Sequence, residues 1–533
     1  TPTATLKPTE AVFYMKTKEY DKAKRGGVLK LAAHGPPAHF DIYASNTIGN
    51  AGSQGPMYDL LVRLDPRDPD NLPVVPDLAY KWDISPDGLA YTFYLREGVK
   101  FHDGTPLTAE DVKATFTRII FPPQGIVSTR AAIFPVNEIK VVGPLVVQFV
   151  LSEPRSSSLM LNMFALGWVP ITTKAVLEKN NGDLKRVDNY PGTGPFVYQE
   201  RTTEYWILKR NPNYWNPNAP YVDEIRQIWL KAWTPELAAA LLGGQVDWGM
   251  WLDPKSYDEV GGRPNMSRLS WVETDMGAMV LFNTEHKPFN DKRVRRAVYL
   301  AVDKIAMLEI ARQFSRVDLV GWILPPYGPP PEDVLKTYPY DPAKKDQRLA
   351  EAKRLMAEAG YPDGYKGLLM LVRESPQDRQ NGAFLQAELK SKLGIETEIK
   401  IMQVSELFER QLAGEFDISP GANCEGLTKA PDPQLRACWS VDRNGKLSDQ
   451  NLSRWVNKEY NDVLTQFERE LDENKRIQLA RRLADILEEE APVFGRNEGG
   501  ILWGWYNYVK GLPDRGGRSA YDIYKWDYVW LDR

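Results

Sequence analysis

The sequence predicts a large mixed α/β protein built from two or three domains, and three observations carry that expectation. The chain has 533 residues, more than a single hydrophobic core usually supports. Short alternating apolar–polar stretches are interleaved with short amphipathic ones along the whole chain, the pattern of strands mixed with helices. Pro and Gly, 40 and 39 in number, punctuate these stretches closely, so each element is brief.

In chain order, Thr1-Pro-Thr-Ala-Thr-Leu-Lys-Pro8 opens as a polar tether. Tyr91, Phe93 and Leu95 alternate with Thr92, Tyr94 and Arg96, the period of a half-buried strand. A turn at His102-Asp-Gly-Thr-Pro106 follows, and Thr108 then stands as an N-cap with Asp111 in capping-box position. Leu145-Val-Val-Gln-Phe-Val-Leu151 is an apolar run of strand length. Val294, Val298, Ala301, Ile305 and Leu308 recur as one helix face, with Asp291 placed to cap it. Asp341-Pro342 starts a helix through Leu349, Ala352, Met356 and Ala359, stopped by Gly360 with Pro362 beyond. A long amphipathic stretch from Tyr460 to about Glu490 closes the helical part, and its terminal Glu488-Glu-Glu490 reads as a solvated face.

Composition excludes several classes. Lys and Arg total 67 against 71 Asp and Glu, a formal net charge of −4 with the signs interspersed, which leaves no footprint for nucleic acid or an anionic membrane. No apolar run reaches the roughly 18 residues a membrane helix needs. The 16 Trp, 25 Tyr and 18 Phe fit aromatic core packing, or alternatively a cleft that stacks on rings or sugars.

Chemistry-bearing motifs are missing. No phosphate-cradling Gly-rich loop precedes Lys-Ser or Lys-Thr, and there is no Gly-x-Ser-x-Gly elbow or His-Glu-x-x-His. Gly192-Thr-Gly194-Pro195-Phe196 loses a backbone donor at Pro195, so it reads as a turn into a strand. His34 and His39 flank a loop rather than share a helix face, and His102 has no nucleophile near it in sequence. No metal and no cofactor is expected. Cys424 and Cys438, the two cysteines, either form a disulfide or stay as two buried thiols. A pair of carboxylates for glycoside hydrolysis stays open among so many acidic residues.

Several blocks together resemble the family 5 extracellular solute-binding proteins, receptors of peptide and nickel ABC importers. The strongest is Pro76-Asp-Leu-Ala79 followed by the run from Trp82 to Val112, which includes Phe101-His-Asp-Gly-Thr-Pro106. Gly192-Thr-Gly-Pro-Phe196, Arg210-Asn-Pro-Asn-Tyr-Trp215, Gly244-Gln-Val-Asp-Trp248, Phe282-Asn-Thr284, Pro288-Phe-Asn-Asp291, Ala301-Val-Asp-Lys304, Tyr340-Asp-Pro342, Glu358-Ala-Gly-Tyr-Pro362 and Asp432-Pro433 follow in order. The resemblance implies a two-lobed periplasmic-binding-protein fold with a hinge and an extra subdomain. The first lobe would comprise residues 1–55, 191–280 and 496–533, the extra subdomain 56–190 and the second lobe 281–495. It further implies a monomeric receptor, not an enzyme, that captures a small-molecule or peptide-like ligand by hinge closure and delivers it to an ABC permease. Its place would be the periplasm or the outer face of the membrane, with the Thr/Pro-rich start as a tether behind a lipid anchor. The alternatives are a carbohydrate-active hydrolase using a carboxylate pair, or a sensory receptor that does not transport.

The resemblance also suggests ligand-binding positions. In peptide-binding members an aspartate four residues before the motif Pro pairs with the peptide's amino group; counting back from Pro433 puts Lys429 there. A cation would repel an amine, so an opine-like conjugate, an oligosaccharide or another organic anion is expected rather than a free peptide. Two other readings stand: Lys429 faces solvent, or a longer segment shifts the register and Glu425 supplies the carboxylate. Gly426, Leu427 and Thr428 share that loop, Asn46, Thr47 and Ile48 lie in the loop after Asp41, and Met279 falls where peptide binders often place a tyrosine.

Overall fold

The computed structural model describes residues 22–33, 35–37, 39–45, 47–65, 73–155, 157–272, 279–314, 316–319, 321–323, 327–422, 432–441, 445–448, 450–470, 472–494, 497–512 and 525–533. The chain forms two compact units, Thr1–Glu273 with Ile501–Arg533, and Thr274–Gly500.

The first unit is organised on a mixed sheet whose central strand is Val28–Ala33. It pairs in parallel with Glu224–Trp229 on one side and with Trp248–Gly249 on the other. Tyr205–Arg210 and Phe196–Arg201 extend the first side as antiparallel strands. On the other side Trp248 and Gly249 pair antiparallel with Trp505 and Gly504. Helix Pro235–Leu242 packs Leu237, Ala240 and Leu241 with Val246, Tyr257, Val260 and Leu502 in one apolar core.

A separate antiparallel sheet of four strands has the order Ala79–Ile84, Ala90–Leu95, Val146–Leu151, Val136–Gly143. Tyr91, Phe93 and Leu95 are the buried side chains of strand Ala90–Leu95, as their alternation requires. Arg96 departs from the expected outward face. It lies past the strand end, buried, donating through Nε to the Asp77 carbonyl at 2.7 Å and stacking over Trp215. Helix Ala109–Ile120 starts at the capping box: the Asp111 carboxylate accepts from the Thr108 amide at 2.9 Å and hydroxyl at 2.7 Å. It sends Phe116 against Phe149 and Phe164, with ring centroids 4.9 and 5.5 Å away. Gly192 and Gly194 press against the Met57 backbone so closely that a Cβ would fall 2.1–2.3 Å from it, so these glycines serve packing.

Buried ion pairs among the described residues of this unit include Lys525, whose Nζ lies 2.5 Å from Asp59 and 2.8 Å from Asp77, Arg63, which donates to Asp527 at 2.8 Å, and Arg118, which donates to Asp41 at 3.0 Å.

The second unit holds a five-stranded sheet in the order Ile395–Met402, Tyr365–Arg373, Ile418–Ala422, Met279–Phe282, Val493–Phe494. Its core joins Phe282, Phe289, Val294, Val298, Met370, Leu385 and Phe494. The face expected as one helix from Val294 to Leu308 is two helices, Lys292–Ala301 and Lys304–Arg312. Val302 is extended and Asp303 caps the second helix by accepting from the Ala306 amide, so a local cap overrides the continuous apolar period. The stretch from Tyr460 to Glu490 is likewise split, into Lys458–Arg469 and Glu473–Glu490, with Asp472 as the cap.

Glu488-Glu-Glu490 is not simply a solvated face. Glu488 accepts from Tyr299, Trp322 and Arg296, and Glu490 from Arg295 and Lys292, so the run ties two helices together. Cys438 is disulfide-bonded, and the sequence offers one other cysteine, Cys424.

Candidate functional site

In open α/β sheets, ligands bind outside the carboxyl ends of the parallel strands, where connections depart to opposite sides. The first unit has such a place. From Glu224–Trp229 the chain passes through helix Pro235–Leu242 to Trp248–Gly249, which lies on the other side of Val28–Ala33. A cavity of about 30 Å³ sits here, lined by Ala33 at the end of the central strand and by Gly49, Gly52 and Ser53. Gln227, Trp248, Met250, Trp251 and Trp526 complete its wall. It has room for one water-sized group.

Thr47 contributes to this place indirectly. Its hydroxyl accepts from the Asn50 amide at 3.3 Å and so caps helix Ile48–Gln54, the helix that brings Gly49, Gly52 and Ser53 to the cavity. Trp248 is positioned by its neighbour Asp247, whose carboxylate accepts from the Lys30 amide at 2.8 Å and the Tyr508 hydroxyl at 2.6 Å. Burial and then this carboxylate push the Tyr508 pKa well up, so the tyrosine stays a donor and the anchor persists.

The walls are aromatic. The Trp248 ring stands edge-on to Trp503 and Trp526, with centroids 5.2 and 5.0 Å away. Trp251 and Trp526 both hold positive φ, +58° and +54°, a conformation that costs a bulky residue free energy and that clusters at functional sites. Among the described residues lining the cavity, Gln227 Oε1 and Trp248 Nε1 are buried polar atoms without a hydrogen-bond partner, both on residues only 2% exposed. Gln227 uses its amide nitrogen on the Ser53 carbonyl at 3.1 Å, leaving its oxygen to accept. One acceptor and one donor in an aromatic cavity match a hydroxyl or an amide group, since each left unpaired costs about 1–3 kcal/mol. No carboxylate among the described residues lines this cavity.

Of the other positions singled out in the sequence, Ile48 begins the capped helix. Met279 opens strand Met279–Phe282 in the second unit, paired with Ala422 and 2% exposed. Asn46, Glu425, Gly426, Leu427, Thr428 and Lys429 lie outside the described residues. Gln227, Ser53, Met250, Trp251 and Trp526 escaped the sequence reading. Trp248 entered it only as part of a motif, because a strand of two residues carries no periodic signal.

Among the described residues, no group of three or more His, Cys, Asp or Glu side chains is disposed to hold a metal ion. His102 has its Nε2 3.1 Å from the Gly194 carbonyl, and burial lowers its pKa. No helix among the described residues is long and apolar enough to cross a membrane.

Comparison with known proteins agrees with this architecture. The family model for bacterial extracellular solute-binding proteins, family 5, matches residues 73–446. The chain is 26% identical over 488 residues to di/tripeptide-binding protein 1 of Pseudomonas aeruginosa, covering 87% of this chain and 88% of that protein. It is 28% identical over 468 residues to heme-binding protein A of Haemophilus influenzae, covering 83% and 81%. Among solved structures, the periplasmic binding protein DppA of Helicobacter pylori in complex with the peptide STSA superposes with a TM-score of 0.80 at 24% identity, over 97% of this chain and 100% of that one. The binding protein AgaA of A. tumefaciens R10 in complex with agropinic acid gives 0.80 at 22% identity, over 95% and 99%. The fold is that of the two-lobed periplasmic binding proteins.

Proposed function

Because the chain belongs to the bacterial extracellular solute-binding proteins, family 5, we propose that it is the receptor of an ABC importer whose ligand is a compact opine-like conjugate or related organic anion. The observation that carries the ligand half of this reading is the cavity at the carboxyl ends of the parallel strands. The cavity admits one water-sized group, and the donor–acceptor pair at Trp248 and Gln227 suits a single hydroxyl or amide that a larger solute sends in between the tryptophan walls. Lys429 stands where peptide-binding members carry an aspartate, which supports an anionic end on the ligand. Structural relatives occur in complex with agropinic acid and with mannopinic acid as well as with peptides, so the fold accommodates either class. The receptor then works as a monomer outside the cytoplasm and hands its solute to a membrane permease. The binding-protein names of the relatives support capture without chemical conversion.

Calorimetric titration of protein freed of bound solute by unfolding and refolding tests this reading. Agropinic acid is expected to bind, and Lys429→Asp to weaken it tenfold or more, since breaking a buried charge pair costs about 2 kcal/mol or more. Tighter binding of a dipeptide, unchanged by Lys429→Asp, would return the protein to peptide uptake.

A further inference from the structure

The second unit contains a cavity of about 350 Å³, within the roughly 300–1,000 Å³ range of small-molecule sites. We propose that it is a separate ligand site, taking an aryl-alkyl amine: an aromatic body in the cavity and an ammonium group at its rim.

The cavity's floor is Tyr299, Val334 and Phe494, all buried. Trp322, Tyr338 and Tyr340 wall it. The Tyr299 ring meets Trp322 at 6.0 Å and 50°, and Tyr340 at 6.3 Å and 79°. Such angles leave ring faces and edges available to another ring instead of closing the aromatics into a stack. The polar atoms of floor and wall are already engaged. The Tyr299 hydroxyl and the Trp322 indole donate to one Glu488 oxygen at 2.7 and 2.8 Å, and Arg296 donates to the other at 2.7 Å. The Tyr338 hydroxyl donates to Glu351 at 2.7 Å. A ligand body therefore has to be apolar.

The rim sets the charge. Glu488 neutralises Arg296 across 2.7 Å. Asp485, one helical turn before Glu488, lines the mouth and is exposed. The charges lining the cavity, Arg296 against Glu488 and Asp485, leave its mouth one net negative charge, with Arg482 one turn before Asp485 attracted to it from outside the lining. Lys304 places its Nζ 4.7 and 5.3 Å from the centroids of Tyr299 and Tyr340 without lining the cavity. Its amine already occupies the face of those rings, so a ligand ammonium belongs at Asp485 and not in the aromatic floor.

The test titrates the protein with 2-phenylethylamine, 2-phenylethanol and 3-phenylpropanoate by calorimetry and ligand-observed NMR. Saturable binding is expected for the amine, about two- to fivefold weaker binding for the alcohol, as an exposed ion pair is worth up to about a factor of five, and the weakest for the carboxylate. Asp485→Asn should remove the preference for amine over alcohol. Ala484→Phe, which fills the cavity, should abolish binding while leaving agropinic acid binding unchanged. Thr337→Trp at the exposed rim is the second blocking variant, used if circular dichroism shows Ala484→Phe unfolded. Absence of saturable amine binding to the wild type, binding that survives both blocking variants, or a preference for 3-phenylpropanoate would each overturn the proposal.

Discussion

Each unit of the molecule buries a lysine, Lys525 at 6% exposure in the first and Lys304 at 3% in the second, and the two titrate in opposite directions. Burial opposes the charge on both. Around Lys525, Asp59 and Asp77 outweigh burial and push the pKa up. Lys304 donates to the Tyr299 and Val302 carbonyls and lies over the rings of Tyr299 and Tyr340, and the attraction of Glu488 and Asp303 does not offset its burial. Burial, helped by Arg348, lowers its pKa to about 7. Depth in the protein thus does not decide whether a lysine is charged; the groups that replace its water do. In the first unit those groups tie the last residues of the chain to the segment from Asp59 to Asp77. In the second they hold Lys304 beside the break between two helices.

Breaking the first arrangement should have the largest effect. Lys525→Met leaves Asp59 and Asp77 buried without their cation and is expected to lower the stability of the first unit by about 3–5 kcal/mol in urea denaturation. The second-largest effect is a pH dependence at Lys304. The folded pKa of about 7 lies below the ordinary lysine value of 10.5. Between those values the unfolded chain binds more protons than the folded one, so stability rises with pH across that window. Lys304→Met should lose this rise, a wild-type-minus-variant difference of a few kcal/mol between pH 7 and 10.5. A flat difference would mean that Lys304 is charged when folded, as Lys525 is.

Smaller effects sharpen the comparison within the first unit. Burial opposes ionisation of both carboxylates, but Lys525 and hydrogen bonds prevail at Asp59 and lower its pKa, whereas at Asp77 burial prevails and the pKa is raised. The surroundings thus favour the ionised form of Asp59 more than that of Asp77, and Asp59→Asn should destabilise more than Asp77→Asn in the same denaturation series. The smallest effect belongs to a surface pair. Lys458, 89% exposed beside Asp462, should change to Ala with no measurable shift in the melting midpoint.

Much of the fold was legible because it rests on local signals. The alternation at Tyr91, Phe93 and Leu95, the capping box at Thr108 and Asp111, and the stop at Gly360 all have causes within a few residues. The helix breaks at Val302–Asp303 and before Asp472 were not read, because an apolar period continued across them while a single capping carboxylate ended it. Arg96 escaped because its partners, the Asp77 carbonyl and the Trp215 ring, lie 19 and 119 residues away. The candidate site was read least. Its walls come from strand ends and loops separated by hundreds of residues, and only Thr47, which caps a helix, had a local mark. Sixteen tryptophans were the available signal, and composition does not say which of them meet.

Native mass spectrometry of the protein as purified, set against its denatured mass, tests the central claim most directly. Receptors that hold ligand tightly keep it through purification, and ligand at 100 times its dissociation constant adds about 2.7 kcal/mol of stability. A single discrete excess mass, lost on denaturation and matching an opine-like or other anionic solute, is the predicted result. A ladder of excess masses matching short peptides would contradict it.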